Sequence, residues 1–206
     1  MKKFFTSISL QGTDLDKLLY RAVGNHLLQM EEGVSYPILT AVNGYAVPGE
    51  EFRVIAVQPD MDAARRNAQV LSGQLNELCA RKGLLCPKGL EVVQIENDQR
   101  VSSHIDTFQK LLSYVDDGDE LFCCITFGTK PQSQAVLLAV QYAYRVKQNA
   151  SISCIVYGDP DRSQRPPVRG FVYDVTALTQ LDEIVHRLAA QGVQNPKAVL
   201  ETIFAL

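Results

Sequence analysis

Two short segments of this 206-residue chain combine glycine with small hydroxyl residues, a composition that lets backbone N–H groups approach an anion closely. Each segment overlaps the end of an apolar run that is typical of a buried strand. The first contributes Ser7, Ser9, Gln11 and Gly12, and the second contributes Thr126, Gly128, Thr129 and Lys130. Backbone amides beside an ammonium group suit a phosphate or another small anion. We therefore predict that these residues bind an anionic ligand.

Lys130 directly precedes Pro131, a residue type that favours the first position of a helix. The lysine charge would then lie at the positive end of the helix dipole. That arrangement is unfavourable for an isolated helix and favourable for anion binding, so Lys130 is a candidate ligand-binding residue. The alternative is an ordinary solvated lysine in a surface loop, and the residues alone leave both interpretations open.

Two further polar segments, residues 97–104 and 158–165, follow other predicted strands. The first contains Arg100 and His104, and the second contains arginines, with Arg169 just beyond it. We expect both segments at the same edge of the sheet as the anion-binding segments, because the carboxyl ends of parallel strands meet there. A polar connecting loop is the simpler interpretation for most of these residues.

Several signatures of known chemistry are missing from the sequence. The chain has no G-x-G-x-x-G turn, no G-x-x-x-x-G-K-[ST] phosphate loop and no G-x-S-x-G elbow. His26, His104 and His186 are isolated, without the H-x-x-x-H or H-E-x-x-H spacing of a metal site. The patterns therefore disfavour a dinucleotide oxidoreductase and a serine hydrolase, and they predict no metal and no cofactor.

The candidate residues must be positioned by strands and helices, and six apolar runs predict the strands. They cover residues 3–9, 52–58, 91–96, 120–126, 151–157 and 171–175. Helical periodicity lies between them, with Asp60 and Ser103 as predicted caps, Gly83 as a predicted end, and helices from Pro131, over 177–190 and from Pro196. This alternation predicts an α/β, Rossmann-like, doubly wound and mostly parallel six-stranded sheet. The two anion-binding segments then leave strands one and four, between which strand order reverses and ligands bind.

Residues 13–35 depart from that alternation. Residues 18–23 and 26–30 flank Gly24-Asn25, a pair typical of a two-residue turn. We predict a β-hairpin insertion after the first strand, above the carboxyl edge of the sheet. The remaining expectation is a single domain over residues 1–206, in which 176–206 form C-terminal helices.

The amino-acid composition limits the kinds of partner that the protein is expected to bind. Twenty Lys and Arg residues against 23 Asp and Glu give a net charge of −3, which argues against binding of long nucleic acid. No stretch approaches the roughly 18 apolar residues of a membrane span, so no membrane partner is expected. The five cysteines include no C-x-x-C pair and are interpreted as reduced thiols of a cytoplasmic protein.

Four groups of residues, in their order along the chain, resemble the CRISPR-associated Rossmann-fold (CARF) domain family. They are residues 2–9, residues 35–39 leading to 49–57, residues 125–130, and Tyr157-Gly158 followed by 173–178. The resemblance covers nearly the whole chain. The family's fourth-strand motif has an Asp before Thr-x-Gly, where this chain has Cys124-Ile125, whereas Thr126, Gly128 and Lys130 match.

The resemblance implies a homodimer that binds a cyclic tetra- or hexa-adenylate across its two-fold axis. Because only residues 176–206 follow the sixth predicted strand, we expect no effector domain. That favours a ring nuclease, which linearises the messenger and switches off type III CRISPR signalling. The alternatives are a non-catalytic sensor that regulates a separate effector, and a nucleotide-using α/β enzyme with another substrate.

The resemblance also implies roles for the candidate residues. Lys130 and the amides of Gly128 and Thr129 would stabilise the negative charge of the transition state. Ser9 and Gln11 would hold the phosphate in line, and His104 would transfer a proton. The ribose 2′-hydroxyl would be the nucleophile, so neither a metal nor a cofactor would be needed.

Overall fold

The computed structural model describes residues 1–163 and 168–205. Its strands are β1 (Lys2–Ser7), β2 (Leu19–Val23), β3 (Phe52–Pro59), β4 (Leu90–Ile95), β5 (Glu120–Cys124), β6 (Ser151–Pro160) and β7 (Arg169–Asp174). Its helices are α1 (Ile38–Tyr45), α2 (Asp62–Lys82), α3 (Val101–Leu112), α4 (Lys130–Val146), α5 (Thr176–Ala190) and α6 (Pro196–Phe204), with a 3-10 helix over His26–Leu28.

The described strands form one sheet in the order β2-β7-β6-β5-β1-β3-β4. The five strands from β6 to β4 are parallel, whereas β7 is antiparallel to β6 and pairs in parallel with β2. The predicted mostly parallel α/β sheet is confirmed, with seven strands instead of six and an order consistent with a Rossmann-like fold. β1 lies between β5 and β3, so strand order reverses where the sequence predicts it.

Apolar side chains on the central strands explain why the sheet is buried on both faces. Phe4 of β1 stacks on Phe122 of β5 with ring centroids 4.5 Å apart, and its edge meets Phe52 of β3 at 5.6 Å. Aromatic contacts of this kind add to the burial of apolar area. β1 is therefore fixed against both of its neighbours before its carboxyl end reaches the candidate site.

The predicted hairpin around Gly24-Asn25 is not confirmed. Gly24 has a φ of +80° and does turn the chain. The Asn25 side chain then accepts a hydrogen bond from the N–H of Leu27 and caps the 3-10 helix, so residues 26–28 are not a strand. β2 pairs instead with β7, which lies far away along the sequence.

Local sequence signals predict the end of α2 correctly and the starts of α2 and α3 incorrectly. Gly83, with a φ of +63°, ends α2 as predicted. Asp60 does not cap α2; its carboxylate pairs with Arg65. α3 begins at Val101, before the predicted cap Ser103, because the Asp98 carboxylate accepts hydrogen bonds from the Arg100 N–H and the Ser103 hydroxyl.

The chain forms two compact units, residues 1–174 and 175–206. The first contains the whole sheet and α1–α4, and the second contains α5 and α6. α1 is a helix that the sequence patterns do not predict. In the described part of the chain, no helix is both long and apolar enough to cross a membrane.

A buried ion cluster anchors the amino end of β1. Lys3 is 2% exposed, and its Nζ lies 2.6 Å from Asp119 Oδ2 and 2.7 Å from Asp116 Oδ2. The same Nζ donates a hydrogen bond of 2.8 Å to the Tyr114 carbonyl. Asp119 is 3% exposed, so removal of the lysine charge would leave a buried carboxylate without its main partner.

We therefore expect Lys3→Met to lower the free energy of unfolding by about 3 kcal/mol, measured by urea denaturation. Lys2→Met is the matched control, because Lys2 pairs with the largely exposed Glu50. Its loss should stay below about 1 kcal/mol. Equal losses for the two variants would contradict this account of the cluster.

Candidate functional site

The two predicted anion-binding segments meet at Gly128. β1 and β5 are paired, with Phe5 opposite Cys123, so both strands end at the same edge of the sheet. Gly128 has a φ of +93°, and a Cβ added there would lie 2.9 Å from Ser7 Cβ and 3.0 Å from Ser7 Oγ. Only glycine tolerates both this backbone conformation and this approach. The end of β1 is therefore packed directly against the turn that starts α4.

A capping box fixes the start of α4. The Thr129 hydroxyl accepts a hydrogen bond from the Gln132 N–H, and Gln132 Oε1 accepts one from the Thr129 N–H, both at 3.4 Å. The Ser133 hydroxyl donates to the Phe127 carbonyl. The 17-residue helix thus has a defined N-terminus, with its positive dipole end at the site.

Two of the side chains next to Gly128 carry a buried donor without a partner. Ser7 and Gln132 are 1% and 2% exposed, yet Ser7 Oγ and Gln132 Nε2 have no hydrogen-bond partner in the described part of the chain. The backbone N–H groups of Gly128 and Lys130 also make no hydrogen bond to the described residues. Each buried polar group left unpaired costs about 1–3 kcal/mol. The arrangement therefore suits an acceptor from solution, such as a phosphate oxygen.

Lys130 and Arg100 differ in their availability to a ligand. Lys130 is the exposed first residue of α4, and it forms no salt bridge within residues 1–163 and 168–205. The Arg100 guanidinium instead pairs with Asp98 at 2.6 Å and Glu96 at 2.8 Å. The hydrogen bond from Arg100 holds the pKa of Asp98 well below its usual range. Binding of a phosphate by Arg100 would have to displace these carboxylates.

The loop after β1 is held mostly by hydrogen bonds to Tyr36 and Asn67. The Ser9 N–H donates to the Tyr36 hydroxyl at 3.3 Å, and Ser9 Oγ accepts from the Gln11 N–H at 3.3 Å. Asn67 Nδ2 donates to the carbonyls of Ser9 at 2.8 Å and Gln11 at 2.9 Å. Ser9 is buried, and its hydroxyl hydrogen is its remaining polar group for a ligand.

The rest of that loop is exposed. The Gln11 side-chain amide donates to Thr13 Oγ1 at 2.7 Å, and the Gly12 carbonyl accepts from Arg66 at 3.1 Å. Both residues lie at the predicted edge but have partners within the protein. A ligand that used Gln11 would compete with the Thr13 hydroxyl.

Tyr36 and Thr126 connect the site to the surrounding elements. The Tyr36 hydroxyl donates to the Asn67 carbonyl at 3.1 Å, and its ring meets Phe127 edge-on at 5.1 Å. Burial raises the pKa of Tyr36, so this hydroxyl stays protonated. Thr126 Oγ1 accepts from the Gly158 N–H at 2.8 Å and so connects the end of β5 to β6. Thr126 therefore positions the turn.

His104 lies in an apolar groove of about 580 Å³ between α3 and α4. Residues of α4 from Pro131 to Val146 line the same groove. Its Nε2 is buried and has no partner among the described residues. Apolar side chains that face this groove are exposed; they include Val101, Ile105, Leu138 and Val146.

Gln132 is the site residue that the sequence analysis missed. The spacing of Thr129 and Gln132 is that of a capping box, which could have identified its role in the helix. No sequence signal shows that its second amide atom is left unpaired. Of the arginines in and just beyond the predicted segment 158–165, Arg169 lies in β7, and Arg165 is outside the described residues.

No group of three or more His, Cys, Asp and Glu side chains in the described part of the chain could hold a metal ion. Comparison of the sequence with protein-family models and with curated proteins finds no match.

The packing at Gly128 gives a testable consequence. Gly128→Ala should lower the free energy of unfolding by about 1–3 kcal/mol more than Gly118→Ala, because the new methyl group meets Ser7. Gly118 is the matched control: its φ is +74°, but nothing lies within 4 Å of an added Cβ. Urea denaturation of both variants measures the difference. Equal destabilisation would mean that only backbone strain matters and that the two loops are not in close contact.

Proposed function

We propose that the protein is a cytoplasmic homodimer that binds a cyclic tetra- or hexa-adenylate at the carboxyl edge of β1 and β5. It cleaves this messenger to linear products and thereby switches off type III CRISPR signalling. The observation that carries the proposal is the pair of buried, unpaired donors, Ser7 Oγ and Gln132 Nε2, beside Gly128 and Lys130. These donors support a phosphate ligand, and the resemblance of residues 2–9 and 125–130 to the CARF family supports the cyclic adenylate.

Local charge supports a compact anion despite the net charge of −3. Residues 7–12 and 126–132 contain no carboxylate, and Lys130 lies at the positive end of a 17-residue helix. A ring of phosphates needs only this local field, whereas a long polyanion needs an extended basic surface. The site therefore suits a small cyclic ligand.

The cleavage step needs no added reactant. The ribose 2′-oxygen attacks the adjacent phosphorus and loses its proton, while the bond from phosphorus to the 5′-oxygen breaks and that oxygen gains a proton. The products are a 2′,3′-cyclic phosphate and a 5′-hydroxyl. Lys130 and the N–H of Gly128 would stabilise the added negative charge. The Thr129 N–H already donates to Gln132 Oε1, so the Lys130 N–H is the better second donor.

Ser9 and His104 have secondary roles in this proposal. The free hydroxyl hydrogen of Ser9 would orient the phosphate for in-line attack. His104, in the groove beside Pro131, is the candidate for proton transfer. Residues 7–12 and 126–132 contain no carboxylate and no histidine, so we expect slow turnover.

The two unpaired donors, Ser7 Oγ and Gln132 Nε2, also favour a second candidate function. A site without a strong general base fits a non-catalytic sensor that binds the ring and regulates a separate effector protein. Both functions predict tight binding, and they differ only in the fate of the ring.

Incubation with labelled cyclic tetra- and hexa-adenylate in EDTA distinguishes these functions. We expect linear products with a 5′-hydroxyl, and Lys130→Ala should weaken binding or cleavage at least about tenfold without changing the unfolding midpoint. Lys147→Ala, at the other end of α4, is the control and should retain wild-type behaviour. Intact rings bound tightly would favour the sensor. Absence of binding would overturn both functions.

The α3–α4 groove supports a second copy of the chain as its occupant. The exposed apolar residues of the groove continue along α4 from Pro131, the residue after Lys130. A two-fold axis through this face would bring the α4 N-termini of both copies to one cyclic adenylate. Such a dimer is isologous, which means that both copies use the same surface, as is usual for homodimers. The buried Nε2 of His104 also lies in this groove.

Leu138→Glu tests the dimer, because Leu138 is 47% exposed in the groove. We expect the variant to sediment as a monomer at concentrations where the wild type is a dimer, and to lose ring binding. Val47→Glu is the control; Val47 is similarly exposed (43%) and does not line the groove. A wild-type protein that sediments as a monomer with the ring bound would contradict the dimer.

A further inference from the structure

We propose that Gln132 is a ligand-contacting residue, and that Gln132 Nε2 and Ser7 Oγ together hold one non-bridging oxygen of the bound phosphodiester. This inference rests on the proposed function and assigns the atoms that recognise the phosphate. It also separates Gln132 from a purely structural role in capping α4.

The orientation of the Gln132 amide is fixed by the capping box. Oε1 accepts the hydrogen bond from the Thr129 N–H, so the terminal atom that is left over is the donor Nε2. Rotation of the amide by half a turn would place two donors face to face at Thr129. The capping box therefore occupies Oε1 and leaves Nε2 as the atom of the Gln132 amide that is still without a partner.

Gln132 and Ser7 are neighbours on the two sides of Gly128. A Cβ on Gly128 would lie 3.0 Å from Ser7 Oγ and 3.1 Å from Gln132 Oε1, so both side chains lie against this glycine. Both are almost completely buried, and their donor atoms make no hydrogen bond to each other or to other described residues. Two neighbouring buried donors without a partner are available to one acceptor atom that approaches Gly128.

The electrostatic potential around Ser7 Oγ and Gln132 Nε2 favours an anionic acceptor. The dipole of α4 and the Lys130 ammonium make the potential positive. Because the flanking segments 7–12 and 126–132 contain no Asp or Glu, nothing within them opposes a negative oxygen. A phosphodiester oxygen satisfies both donors, whereas a ligand group that can only donate hydrogen bonds does not.

Gln132→Glu separates capping from recognition. A glutamate keeps an oxygen for the Thr129 N–H and is favourable at this position of a capping box. It replaces the donor Nε2 with a negatively charged acceptor. We expect the affinity for the cyclic adenylate to fall at least about thirtyfold. The buried charge should lower the melting temperature, because Gln132 is 2% exposed, so binding is measured where the variant is still folded.

Gln109→Glu is the charge-matched control, because Gln109 is exposed on α3 and does not line the groove. It should bind the ring within about twofold of the wild type. Ser7→Ala removes the other donor and should weaken binding about five- to tenfold, since it adds no repulsive charge.

A direct readout is the side-chain amide of Gln132 in a ¹⁵N–¹H NMR spectrum, assigned by its loss in the Gln132→Glu variant. We expect its proton resonances to shift when cyclic tetra- or hexa-adenylate is added. If the wild type binds the ring but the Gln132→Glu variant binds equally well and the amide resonances do not move, the inference is wrong and the proposed function stands. If the wild type does not bind the ring, both the inference on Gln132 and the proposed function are wrong.

Discussion

The close approach of Gly128 to Ser7 is the constraint on which the candidate site depends. With a φ of +93° and no room for a Cβ, residue 128 brings the end of β1 against the first turn of α4. This contact exists because β1 lies beside β5 in the sheet. At the other end of β1, the Lys3 cluster with Asp116 and Asp119 fixes the strand. The same strand therefore connects a structural ion cluster to a candidate ligand site.

Around that contact, the protein satisfies some polar groups and leaves others unpaired. Thr129, Tyr36 and Asn67 use their hydrogen bonds to fix the two loops. Ser7 Oγ and Gln132 Nε2 are left without partners in the part of the chain that is described. Loops with a rigid backbone and a few free donors are preorganised, so little free energy is lost in ordering them around a ligand. The division between fixed and free groups is the main support for a phosphate site.

Sequence patterns predicted the parts of the fold that depend on neighbouring residues. Apolar runs and helix periodicity located six strands and the reversal of strand order, and Gly83 marked the end of α2. The hairpin prediction was not confirmed because the partner of β2 is β7, a pairing between residues about 150 positions apart. Long-range pairing of this kind leaves no local signal. The unpaired Nε2 of Gln132 likewise became visible only in three dimensions, whereas the ion pairs of Arg100 are formed with Glu96 and Asp98, which are its neighbours in the sequence.

A crystal structure of the protein with a non-cleavable cyclic adenylate, such as the 2′-deoxy analogue, tests the central claim most directly. The account predicts one ring per two chains, on the two-fold axis, with a phosphate oxygen within hydrogen-bond distance of Ser7 Oγ and Gln132 Nε2 beside Gly128. A ring bound elsewhere on the chain, or at this edge with its phosphates away from both donors, would contradict it.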